Sequence, residues 1–407
     1  FRKENVQLNA DDEKLSNEYT RTIAAMTVTY KGEEVTLSGM SKYLADPDRA
    51  VREEAFRLVS SRRLIDAEAL DTVFDKMVAL RDTVSLNADF KNYRDYMHVG
   101  KERFDYTPED CLAFGDNVKQ YIVPAMRKIN EHRRQKLGVD TLRPWDTFVD
   151  LDGADAFEPF TDAAGHVDVS AKLMSAVAED FGEELRWMFS QGLLDLETRP
   201  HKGPGGFMDN LEKRRVPVIF ANSGTTHSDV ETLVHEGGHA LNGLFCRDLE
   251  PVAYRMPPLE FAEVASMGLE ALAMEHLEDV YPADEVQRAR RDSLEGMLST
   301  FAWVATIDGF QHWIYTHPQH TREERTAAWN TLLDDFSTGV DWSGLETERS
   351  SVWHRQLHIF QVPFYYIEYA LAQMGAIQLW LNYRTDRETC VAAYRHGLSS
   401  GGSAGLP

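Results

Sequence analysis

SDVETLVHEGGHAL, residues 228–241, holds the five residues His235-Glu236-Gly237-Gly238-His239 on which the reading of the whole chain turns. Residues four apart in an α-helix lie on one face, one above the other. His235 and His239 have that spacing, and two neutral imidazoles so placed can share a single zinc ion. Glu236 projects beside the first imidazole, near enough to take a proton from a water held by that ion. The pattern binds metal only as a helix. Ser228 as N-cap with Glu231 three residues on fits a capping box. This predicts a helix from 229 that turns Val230, Leu233, Val234, Leu241 and Leu244 toward the core. Gly237 and Gly238 oppose it by roughly 0.5–1 kcal/mol each relative to Ala. Adjacent glycines inside a helix imply either a second backbone passing close by or ordinary packing.

Structural zinc sites use four protein ligands, whereas catalytic ones use three and leave a place for water. Downstream, residues 259–280 (LEFAEVASMGLEALAMEHLEDV) read as a strong helix with Glu263, Ser266 and Glu270 on one face. One Glu from this helix would complete a His₂Glu set. Spacing alone does not choose among Glu260, Glu263 and Glu270, and Glu270 is also a candidate for orienting a ligand histidine.

The 407 residues are 43% hydrophobic, enough for a large core or two coupled lobes. A formal charge of −23 argues against nucleic acid or an anionic membrane as partner, since both need basic surfaces. Cys111, Cys246 and Cys390 are widely spaced and form no CxxC pattern, which fits free thiols of a cytoplasmic protein and leaves no cysteine zinc site. No apolar run is long enough to span a bilayer. The chain begins at Phe1 without a methionine and ends just after a Gly/Ser-rich stretch, so it reads as a piece of a longer polypeptide.

Apolar spacing predicts helices over 48–63, with Asp46-Pro47 as start signal, and over 66–82, 108–136, 168–192, 283–314 and 321–336. Residues 26–37 (MTVTYKGEEVTL) alternate around Lys31-Gly32 and predict a β-hairpin. Residues 215–221 (RVPVIFA) predict a strand. As an edge strand it would take an extended peptide by strand addition; otherwise it is a buried strand of a small sheet. Lys202 to Gly206 (KGPGG) reads as a loop over or beside the site.

HEGGHALNGLF followed by EFAEVASMGLEAL resembles the thimet oligopeptidase and oligoendopeptidase F family of zinc metallopeptidases. So do NYRDYMHVGKERFDYTPED (92–110), LRPWD (142–146), VPVIFANSGTTHSDVETLVHE (216–236) and PFYYIEYALAQMGA (363–376). Gly237 departs from the pattern, since members often carry a larger residue there, and the family's usual N-terminal region and last helical segment are missing. The resemblance implies a third ligand from a Glu-x-x-Ser segment, which falls on Glu263 with Ser266 following. It also implies His and Tyr donors to the developing oxyanion within residues 354–369 (HRQLHIFQVPFYYIEY). With Pro363 in the first turn of a helix, Tyr365 and Tyr369 would share a face, Tyr366 would flank them and His358 would precede them. Tyr369 ranks first among these donors, then His358, then Tyr365 and Tyr366. Of the other histidines, His98, His227 and His276 show no partner pattern, although the resemblance puts the segment of His227 near the cleft.

The expected fold is mainly α: a two-lobed helical zincin-type peptidase with a deep central channel and a small β-sheet beside the zinc helix. Residues 1–407 would form one metallopeptidase catalytic domain with one Zn²⁺ per chain at His235, His239 and Glu263. The implied activity is endopeptidase cleavage of short unstructured peptides, with Glu236 as general base. A Taq-type zinc carboxypeptidase would instead need a fixed cationic group for the substrate's terminal carboxylate. A catalytically inactive peptide-binding protein would have no use for Glu236.

Overall fold

The computed structural model describes residues 2–153, 157–199, 202 and 205–403. Most are helical, with two small sheets. No helix among them is long and apolar enough to cross a membrane. The chain divides into two compact units, Phe1–Ala156 with Leu298–Ile367, and Phe157–Met297 with Glu368–Pro407.

In the first unit the expected hairpin forms as β1 (Thr27–Tyr30) and β2 (Glu33–Thr36), paired antiparallel with Tyr30 opposite Glu33. Lys31 and Gly32 both take positive φ, 51° and 85°, the geometry of a type I′ turn, whose twist matches that of the strands it joins. Helices Arg49–Ile65 and Ala67–Asn87 follow. Asp48, directly after the Asp46-Pro47 start signal, caps the first, accepting the Ala50 N–H at 2.9 Å. The run from Pro108 to Lys136 is helical but not uniform, widening into a π turn at Val118–Ile122. Pro124 lies directly beyond, and it lacks an N–H to continue the α-helical ladder. Phe74, Phe310, Trp329, Trp353 and Phe360 centre this unit's core.

In the second unit the segment expected as one helix over 168–192 forms two, Ala163–Val177 and Glu179–Ser190. The break falls at Ala178, whose backbone is extended. Strands β3 (Leu194–Glu197), β4 (Phe207–Leu211) and β5 (Val216–Ser223) form a sheet in the order β3-β5-β4. β5 pairs parallel to β3 and antiparallel to β4. It is therefore the central strand, and the reading of 215–221 as an edge open to a peptide is corrected: both of its hydrogen-bonding sides are used. Gly203 and Pro204 of the expected loop lie outside the described residues.

β5 leads into the motif helix (His227–Cys246), and the acid helix (Leu259–Ala273) packs against it. All five positions expected to face the core, Val230, Leu233, Val234, Leu241 and Leu244, are buried together with Ile219 and Ala221 of β5. The helix begins two residues earlier than the capping-box reading placed it, with Thr226 as N-cap and Asp229 at N3. The Asp229 carboxylate accepts the Thr226 N–H at 2.9 Å and its hydroxyl at 2.7 Å. Glu231 is engaged elsewhere, accepting from Ser293 Oγ at 2.5 Å and lying 3.3 Å from His227 Nε2.

Candidate metal centre

The paired glycines separate into two roles. A Cβ on Gly238 would stand 2.4 Å from the carbonyl oxygen of Ala265 and 2.6 Å from Ser266 Cα. Only a bare α-carbon allows the acid helix so close. A Cβ on Gly237 would meet only the Met174 thioether end at 3.0 Å, a flexible group that can yield. The backbone approach expected from the sequence therefore belongs to Gly238 alone. Tyr394 supports it from outside, donating its hydroxyl to the same Ala265 carbonyl. Sequence spacing gave no sign of Tyr394, which comes from a helix far along the chain.

This approach sets the acid helix opposite the two histidines. His235 Nε2 lies 3.4 Å and His239 Nε2 3.5 Å from one atom, Glu263 Oε2. The three side chains form a group whose ligand atoms all lie within 4.8 Å of one another. Glu263 is 2% exposed, and Ser266 Oγ donates to its Oε2 at 3.1 Å. Glu260 is also buried but is not part of the group. Spacing left three acids open, and the structure brings Glu263 to the pair. Glu270 takes the supporting place, its Oε1 2.6 Å from His235 Nδ1. A carboxylate there can fix the ring and turn Nε2 toward Glu263, where it could hold a metal.

The electrostatics suit a cation. Burial pushes the His235 imidazole down, but its hydrogen bonds to Glu263 and Glu270 outweigh this and hold its pKa well above the ordinary value. Burial pushes Glu263 up, and the two imidazoles more than reverse this, leaving it well below. The negative potential that favours a proton on His235 would equally favour a metal ion. Glu236 stands apart. Burial raises its pKa, with His235 and His239 only partly compensating, and its Oε2 has no hydrogen-bond partner among the described residues. A buried carboxylate oxygen left unpaired costs about 1–3 kcal/mol or more. Gly206 lies beside it, since a Cβ there would be 3.5 Å from Glu236 Oε1. That end of the expected loop does adjoin the site.

The segment of candidate donors differs from its sequence reading. Pro363 is not in the first turn of a helix. Leu357–Gln361 forms one short helix, Ile367–Thr385 another, and residues 362–366 are the break between them. Tyr365 and Tyr369 therefore do not share a helical face. Phe364 has φ +61°, a left-handed conformation unusual for a bulky residue. It is held from both sides: Gln311 Oε1 accepts its N–H at 2.7 Å and Arg103 donates to its carbonyl. The result collects three of the four candidate donors in the first unit, with the His358 ring 6.1 Å from Tyr365 and 4.8 Å from Tyr366. Burial pushes the Tyr366 hydroxyl up to about 12, so it keeps its proton at neutral pH. Tyr369 belongs to the second unit and packs with Met267 and Ala271 of the acid helix. His227 joins a polar group with Tyr281 and Ser293 and takes no part in the ligand set.

The sequence model of peptidase family M3 matches residues 42–406. The group B oligopeptidase PepB of Streptococcus agalactiae is 22% identical over 366 residues, covering 88% of this chain and 58% of its own length. The oligopeptidase PepF of Bacillus subtilis is 22% identical over 360 residues, covering 85% of this chain and 53% of its own. The chain thus spans little more than half the length of these curated relatives. The solved structure of PZ peptidase A with an inhibitor is 28% identical and superposes with a TM-score of 0.96, over all of this chain and 72% of that one. An HExxH helix joined to a buried Glu at this separation, inside a match over nearly the whole length, leads to one assignment: the chain belongs to peptidase family M3.

Proposed function

We propose that residues 1–407 act as the catalytic domain of a zinc-dependent endopeptidase that cleaves short, unstructured peptides. The observation that carries this reading is the convergence of both imidazole Nε2 atoms on one Glu263 oxygen, at 3.4 and 3.5 Å. Two ligands about 2.0–2.1 Å from a tetrahedral zinc ion lie roughly 3.3 Å apart, so these residues fit the ion with little movement. His235, His239 and Glu263 would hold it, Glu270 would orient His235, and among the described residues no fourth protein ligand joins the group. When bound, Zn²⁺ supplies acidification of a water and polarisation of the scissile carbonyl.

Glu236 would take the proton of the attacking water and deliver it to the leaving nitrogen. Its raised pKa suits both halves of that transfer, because a base works best with a pKa near the working pH. Tyr369 is the proposed first donor to the oxyanion. His358, Tyr365 and Tyr366 are proposed as further donors on the family resemblance, which also supplies the restriction to short peptides.

Hydrolysis of an end-blocked, internally quenched peptide should be measured for the wild type and Glu236→Gln, with metal content determined on both. Loss of general-base catalysis should lower the rate by about 10²–10⁴-fold while the metal content stays that of the wild type. Equal rates with zinc bound would refute the enzyme reading. Failure to cut the blocked peptide, with an unblocked one trimmed from its end, would favour the carboxypeptidase.

A further inference from the structure

The first unit contains another buried group of metal-ligating side chains, unrelated to the histidine pair. Asp308 and His312 stand four residues apart on the helix Ala283–Thr316, and Cys111 comes from the helix Pro108–Asn117. Ligand atoms of the three lie within 4.8 Å of one another. All three residues are buried, at 6%, 2% and 4% exposure for Cys111, Asp308 and His312. Asp308 Oδ2 is 3.2 Å from His312 Nε2. Asp308 Oδ1 and His312 Nδ1 have no hydrogen-bond partner among the described residues.

A carboxylate and an imidazole left half-satisfied in the interior are expensive, and charge there must be compensated. The i,i+4 contact engages Asp308 Oδ2 and His312 Nε2 and leaves Oδ1 and Nδ1 unpaired, so a cation at the Oδ2–Nε2 pair would compensate the buried carboxylate charge. We propose that Cys111, Asp308 and His312 form a second metal site, for a divalent transition-metal cation of the zinc class. The charges balance: a thiolate, a carboxylate and a neutral imidazole cancel a 2+ ion, so the bound group can be buried without net charge. Binding releases the thiol proton to solvent. The donor set selects the metal, because thiolate and imidazole favour zinc-like ions over calcium or magnesium. The Asp308–His312 separation already matches the roughly 3.3 Å between neighbouring ligands on a tetrahedral ion. Cys111 offers its sulfur within 4.8 Å of a ligand atom on each of the other two residues, against roughly 3.6 Å between sulfur and nitrogen or oxygen on one tetrahedral ion. Occupied, the site ties two helices far apart in the chain.

Cobalt(II) titrated into the metal-free full chain separates the two sites, because the set His235, His239 and Glu263 contains no sulfur. Two equivalents per chain are expected, one of them with a sulfur-to-cobalt charge-transfer band in the near ultraviolet. Cys111→Ser and His312→Gln should each remove that band and one equivalent, leaving the sulfur-free equivalent and peptide hydrolysis in place. Saturation at one sulfur-free equivalent, a second equivalent without the band, or a band that survives Cys111→Ser would each overturn the proposal. Should both variants fail to fold, the wild-type stoichiometry and spectrum still decide. Failure of the metal assignment at His235, His239 and Glu263 looks different: the sulfur-free equivalent would be missing while the band remained.

Discussion

The motif and acid helices, compared with the segment from Leu357 to Tyr369, show two ways of fixing side chains. In the helix pair, each functional group sits on a regular backbone, and one contact between Gly238 and the Ala265 carbonyl sets the separation. In the donor segment the backbone is broken at 362–366, and a left-handed Phe364 is held by Gln311 and Arg103 from distant parts of the chain. Repeat spacing places the groups on each helix of the first arrangement, and one close backbone contact sets the two helices together. Long-range polar contacts to main-chain atoms fix the second, and spacing has no bearing on them.

The largest expected effect tests the helix pair directly. Glu263→Ala should remove the zinc equivalent held at the histidine pair at concentrations that saturate the wild type, whereas Glu260→Ala should leave it unchanged; metal analysis after dialysis checks both. If Glu260→Ala is the one that loses metal, the ligand assignment moves by one turn. Glu270→Ala removes only the hydrogen bond to His235 Nδ1, so affinity should fall by about 10–100-fold, measured by competition with a chromophoric chelator.

The glycine contact is sharpened by a pair of substitutions. Gly238→Ala forces a Cβ against the acid helix backbone and should destabilise the protein by at least about 1–3 kcal/mol, lowering the melting temperature. Gly237→Ala meets only Met174 and recovers helix propensity of roughly 0.5–1 kcal/mol, so its melting temperature should stay near or above that of the wild type. Similar melting curves for the two would contradict the asymmetry. The smallest effect concerns the donor segment. Gln311→Ala leaves the buried Phe364 N–H without its acceptor, at a cost of about 1–3 kcal/mol. A several-fold fall in kcat with KM nearly unchanged is expected, and an unchanged kcat would remove the segment from the chemistry.

Much was legible in the chain itself. Val230, Leu233 and Val234 mark the buried face of the motif helix at helical period, and Lys31-Gly32 marks the hairpin turn, because both signals are local. Local signals also misled. Ser228 and Glu231 match a capping box as well as Thr226 and Asp229 do, and the choice was made by Ser293 and His227, which engage Glu231. Pro363 fits a helix start in isolation, yet Gln311 and Arg103 hold the following residue in a conformation no helix permits. β5 reads the same as an edge or a central strand until β3 and β4 are placed on either side of it.

The sequence alone determined the pairing of the two imidazoles and the place of the acid beside them, since four residues of α-helix put His235 over His239 whatever surrounds them, and Glu236 comes with the turn. It also narrowed the acid that meets the pair to those of one helix. Only the tertiary structure chose Glu263 over Glu260 and assigned Glu270 to His235 Nδ1. That choice depends on the rotation and distance of one helix against another, set by the missing side chain at Gly238 and by Tyr394 on the Ala265 carbonyl. Both are contacts between residues that no spacing rule connects.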